Sequence, residues 1–123
     1  MADEFAKTPE PPYYAVIFVS QRTEGDNGYG AMAEVIDGVV RKQPGFLGLD
    51  HARSPDGRGI TVGYFRDEAS ILAWKQQTQH RAAQRGGMER WYSHYELRVA
   101  KVERAYAGPE GRSPESPAKG SHP

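Results

Sequence analysis

At 123 residues the chain is long enough for one domain with a real core and too short for two. Sixteen basic and sixteen acidic residues cancel, so no net field draws it to nucleic acid or to an anionic membrane surface. The absence of cysteine excludes disulfides, thiolate metal sites and a cysteine nucleophile, and the longest apolar run, Ala15 to Val19, is far too short to span a bilayer. No basic stretch followed by an apolar one opens the chain, so a soluble cytoplasmic domain is the expectation.

Residues 1–12 are polar and carry three prolines, and are expected to form a disordered arm. Residues 108–123 (GPEGRSPESPAKGSHP) read as a disordered tail, leaving a domain over 13–107. Tyr13 to Gln21 is β-branched, aromatic and almost continuously apolar, as in a central strand. After a GDNGYG turn, Tyr29, Met32, Val35, Ile36, Val39 and Val40 recur at helical spacing until Pro44-Gly45 stops them. Two strand-like runs, Phe46 to Arg53 and Arg58 to Arg66, flank Ser54-Pro55-Asp56-Gly57, a strong hairpin signal. A second helix runs from its N-cap Asp67 to about Arg85, ahead of Gly86-Gly87. Trp91 to Tyr106 alternates like a last strand; at about 3.3 Å per residue it would reach about 50 Å and overhang its own sheet.

The order β-α-β-β-α-β is the split βαβ, ferredoxin-like plan, an α+β fold with both helices on one face of a four-stranded antiparallel sheet. The overhang, the bare edge and the second sheet face call for a partner, and a second copy of the chain is the simplest one.

In the second helix, Ala69, Leu72, Ala73, Gln76, His80 and Ala83 share one side, which is expected to face the sheet. His80 then looks into a space walled by small residues, either as a working imidazole or as a hydrogen-bonded core histidine. Trp74 falls on a flank with Thr78, and Trp91 either closes the space or anchors a loop. On the third strand, the series Ile60, Val62, Tyr64 suggests that Tyr64 points toward the helices. The stretch Gly28-Tyr29-Gly30-Ala31-Met32-Ala33 fits a dinucleotide-binding fingerprint, but residues 22–27 separate it from its strand and no parallel sheet can follow. The histidines at 51, 80, 94 and 122 show no metal-binding spacing, and no serine carries a nucleophile signature.

Pro44-Gly45-Phe46-Leu47-Gly48 entering strand two, Tyr64-Phe65-Arg66-Asp67-Glu68-Ala69 entering helix two, Ala73-Trp74 followed by His80, and Trp91-Tyr92 opening the last strand together resemble the antibiotic biosynthesis monooxygenase family. The resemblance spans about residues 13–106. It implies a ferredoxin-like protomer that pairs sheet to sheet into a dimeric α+β barrel. It further implies a cavity between helices and sheet, and oxidation of an aromatic or quinone-like small molecule by molecular oxygen with no cofactor. On that expectation His80 is base or orienter, Tyr64 a hydrogen-bond donor, and Trp74, Trp91 and Gln76 contact the substrate. A non-catalytic binding or structural dimer of the same fold is the alternative. Haem binding or degradation is a third, from which Ser20 and Gln21 depart, because haem-degrading relatives carry an asparagine there.

Overall fold

The computed structural model describes residues 5–84 and 86–109, leaving aside the side chains at 83 and 84. The elements are β1 (Tyr13–Arg22), α1 (Tyr29–Arg41), β2 (Phe46–Arg53), β3 (Arg58–Phe65), α2 (Glu68–Gln84), a short 3₁₀ turn (Met88–Arg90) and β4 (Tyr92–Val102). The four strands form one antiparallel sheet in the order β2-β3-β1-β4, as the ferredoxin-like plan requires. No helix among the described residues is long and apolar enough to cross a membrane.

Local chemistry sets the element ends. Asp67 accepts hydrogen bonds from the Ser70 backbone N–H (2.8 Å) and hydroxyl (2.7 Å), capping α2. The hairpin closes through Ser54 N–H to Arg58 carbonyl, with Gly57 at φ +95°. Gly45 (φ +85°) joins α1 to β2 and takes a hydrogen bond from the Arg66 N–H; a Cβ there would run into the Ser70 side chain.

Directly opposed residues of an antiparallel ladder share a face, so the register sorts the side chains. Tyr14, Val16, Phe18 and Ser20 of β1 lie on the helix side with Phe65, Gly63, Thr61 and Gly59 of β3. The helix side holds two packed groups. Val16, Val40, Phe65 and Ile71 form one, joined by Tyr14, Phe46, Leu49 and Trp74. Met32, Ala82, Trp91 and Tyr92 form the other, joined by Phe18, Tyr29, Ile36 and Met88. Each fully buried ring, Phe65 and Trp91 at 1% exposure, contributes about 2–3 kcal/mol by leaving water. The opposite, open face carries Tyr13, Ala15, Ile17 and Val19 against Tyr64, Val62 and Ile60.

Two expectations change. The last strand is eleven residues, not about fifteen, because its final residue Val102 already pairs with Tyr13, where β1 begins. The N-terminal arm is tied down where it is described: the Ala6 N–H donates to Asp50 Oδ1 (2.8 Å), and the Thr8 and Tyr13 hydroxyls hydrogen-bond at 2.9 Å. Residues 1–4 and, from the expected tail, 110–123 lie outside the described residues.

Candidate functional site

The side of α2 that meets the sheet is Ile71, Trp74, Thr78 and Ala82, spaced three, four and four residues apart. Trp74 packs on Phe65 with ring centroids 5.5 Å apart and planes at 44°. Its indole Nε1 and the Thr78 hydroxyl are both sealed from solvent and have no hydrogen-bond partner among the described residues. They lie one turn apart, where the first packed group gives way to the second. Buried donors without partners are uncommon in folded proteins, and a pair on one stripe marks a place for a water or a ligand oxygen.

The layer beneath the helices is uncovered toward β4. Tyr95, Leu97 and Val99 oppose Ser20, Phe18 and Val16, so they lie on the helix side, yet they are 43%, 37% and 47% exposed. At the far end of the same layer is a polar knot. Tyr29 and Tyr92 stand edge to face with ring centres 5.9 Å apart, and burial followed by the neighbouring Tyr29 pushes the Tyr92 hydroxyl above the ordinary phenol range. Arg53 Nη2 donates to the Tyr29 hydroxyl and to Ser20 Oγ, both at 3.3 Å, and the Arg22 guanidinium sits 3.7 Å from the Tyr29 ring centre.

The residues expected to act together are separated. His80 is exposed on the outer side of α2, where it borders an open cleft of about 250 Å³ with Gln43, Ala73, Gln76 and Gln77. Ala69, Leu72 (57% exposed), Ala73 and Gln76 share that outer side, so α2 is rotated from the expected orientation. Area decides this: burying the large faces of Trp74 and Ile71 gains more than burying Leu72 among alanines and a histidine. Tyr64 also lies opposite to its expected direction. Phe65 takes the helix side, and the Tyr64 hydroxyl on the open face donates to Asp50 Oδ2 at 2.9 Å. Burial, then the Asp50 hydrogen bond, pushes the Tyr64 phenol up to about 12. Trp91 is a loop anchor, its Nε1 donating to the Asn27 carbonyl at 3.0 Å while its own carbonyl accepts from Arg22 Nε and Thr23 N–H. His51 pairs with the Thr61 hydroxyl (2.7 Å) and His94 with Glu96 (3.1 Å), both exposed.

Thr78 and the Tyr29–Tyr92 pair were not singled out as site residues in the sequence. The signal for Thr78 is the stripe Ile71, Trp74, Thr78, Ala82, which competes with the longer stripe through His80.

Residues 12–86 match the family described as antibiotic biosynthesis monooxygenase. The protein YqjZ of Bacillus subtilis, described as uncharacterized, is 51% identical over 104 residues, covering 85% of this chain and 91% of YqjZ. Among solved structures, SnoaB, a cofactor-independent oxygenase from Streptomyces nogalater, superimposes with a TM-score of 0.63 at 9% identity, over 77% of this chain and 97% of SnoaB. PA3566 from Pseudomonas aeruginosa gives 0.59 at 15% identity, over 79% and 98%. At such identities these two structures speak for the fold alone.

Proposed function

The chain belongs to the antibiotic biosynthesis monooxygenase family, and from that premise we propose that it is a homodimeric, cofactor-independent oxygenase that takes a planar aromatic or quinone-like molecule between α2 and the sheet. The observation that carries this reading is the pair of sealed, partnerless donors, Trp74 Nε1 and Thr78 Oγ1. Two donors one turn apart suit a ligand oxygen that is, or becomes, negative, and their worth rises in a site without water. The uncovered layer beside Tyr95, Leu97 and Val99 is the way in.

Ground-state oxygen takes electrons one at a time, so the substrate must be an electron-rich anion. The described residues on the sheet-facing side of α2, Ile71, Trp74, Thr78 and Ala82, include no carboxylate or imidazole to make one. The donors therefore hold a phenol or enol acidic enough to ionise by itself, and they stabilise that anion. Conversion of a ring methylene to a carbonyl balances with one oxygen atom retained by the ring and the other leaving as water with the two methylene hydrogens.

The same lack of a base favours a second reading, a non-catalytic binder of such anions. Oxygen uptake with an anthrone probe separates the two. Trp74→Phe is expected to weaken probe affinity by about tenfold, the worth of one hydrogen bond to a charged oxygen, and H80A to leave uptake unchanged. Normal affinity in W74F together with lost uptake in H80A would move the site to the outer cleft and overturn the proposal.

A further inference from the structure

The open face of the sheet is covered unevenly. At one end Tyr13 and Ala15 are 4% and 5% exposed, while at the other Ile60 is 47% exposed. The covered end is where the N-terminal arm crosses. Asp50 holds the arm there, taking the Ala6 N–H on Oδ1 (2.8 Å) and the Tyr64 hydroxyl on Oδ2 (2.9 Å). A second tie joins the Thr8 and Tyr13 hydroxyls, and the Tyr13 ring stands edge-on to Tyr64 with centroids 5.9 Å apart. Gly48 is fitted to the arm: it lies opposite Tyr64 at φ +151°, and a Cβ there would come within 3.3 Å of the Ala6 methyl. Carboxylate, phenol, backbone N–H and glycine thus come from three separate segments and meet at one point. That convergence is a built latch.

We propose that residues 5–8 are a strap, latched by Asp50, that keeps the Tyr13–Ala15–Tyr64 end of the open face from a second copy of the chain and confines the dimer contact to the end around Ile17, Val19, Ile60 and Val62. The confinement rests on the homodimer reading above; the latch does not. The available end is apolar at Val19, Ile60 and Val62, with Arg58, Glu96 and Arg98 on neighbouring positions of the same face. An apolar centre with both signs of charge beside it suits an isologous contact, in which one patch meets itself.

The absence of native cysteine makes single thiols clean reporters. A15C and I60C, each in the full chain and in a chain lacking residues 2–8, are reacted with a maleimide above and below the dimer dissociation concentration fixed by sedimentation. With the strap present, A15C is protected at both concentrations; without it, the dilute sample reacts at least ten times faster. I60C is protected only when concentrated. An A15C rate indifferent to the deletion overturns the latch. Concentration-dependent protection of A15C in the full chain, with none at I60C, overturns the confinement. A chain monomeric throughout defeats the homodimer reading and the confinement together, while the A15C comparison still judges the latch. Because Cys at position 15 perturbs a packed strand, amide exchange at residue 6 in D50A gives a second measurement. Acceleration of at least tenfold supports the latch, and unchanged protection overturns it.

Discussion

Thr78→Val tests the reasoning about the seam most directly. The substitution replaces the hydroxyl by a methyl of nearly the same shape, in a helix whose intrinsic preference for the two residues is similar. The Thr78 hydroxyl is sealed from solvent with no partner among the described residues, and an unpaired group of that kind costs about 1–3 kcal/mol. Removing it from the ligand-free protein should therefore stabilise the fold by about 1 kcal/mol, once partial relief by an internal water is allowed for. In a domain of this size that raises the melting temperature by about 4 °C. The melts must be run at one fixed protein concentration, because dimerisation would shift the midpoint by mass action. Affinity for the anionic probe, read from quenching of tryptophan fluorescence, should fall by about tenfold at the same time. A more stable protein that binds less well is the signature of a polar group kept for a ligand. If T78V melts lower than the parent and binds normally, the hydroxyl already has a partner and the site reading is wrong.

Tyr64→Phe leaves the Asp50 carboxylate with the arm's N–H but without its phenol, and should cost about 1–2 kcal/mol in urea unfolding; no loss would mean that water replaces the hydroxyl freely. The Tyr64 phenol is raised from 10.0 to about 12, so its contribution is complete below pH about 10 and is lost as pH rises through about 12. Y64F should therefore remove one tyrosine from the most alkaline part of the phenolate absorbance titration and flatten the stability decline over that window. Gly45→Ala combines a left-handed φ of +85° with a collision against Ser70 and should cost about 2–4 kcal/mol, read as a lowered urea midpoint; an unchanged midpoint would contradict the geometry of that junction.

The order of elements, the hairpin at Asp56-Gly57 and the Asp67 cap were all legible in the sequence, because each depends on local chemistry that neighbouring residues spell out. The rotation of α2 was not. Its two candidate stripes differ little in count, and only the area of Ile71 and Trp74 against that of Leu72 decides between them. Tyr64 was misdirected for a related reason. The helix side of β3 is Gly59, Thr61, Gly63 and Phe65, and two of its four positions are glycines. Gly63 is small because a Cβ there would come within 3.2 Å of the Phe65 ring. A face thinned to make room for its own aromatic looks polar to a period-two count, so Ile60, Val62 and Tyr64 seemed the better core. The arm was missed because three prolines and a polar composition say nothing of a carboxylate 44 residues away.

Strand β4 also bears on how the protein must be made and kept. Among the described residues it is hydrogen-bonded along one side only, to β1, and every residue from Ser93 to Lys101 is exposed. Glu96 and Arg98 guard its open face with charges of both signs, which discourages unrelated strands from adding to it. Its other face presents Tyr95, Leu97 and Val99 with no such guard. The free edge of β4 is thus a bare template for a further strand, and a chain that leaves it uncovered is open to aggregation. For this chain solubility is thus a property of one strand edge, and whatever covers that edge governs it.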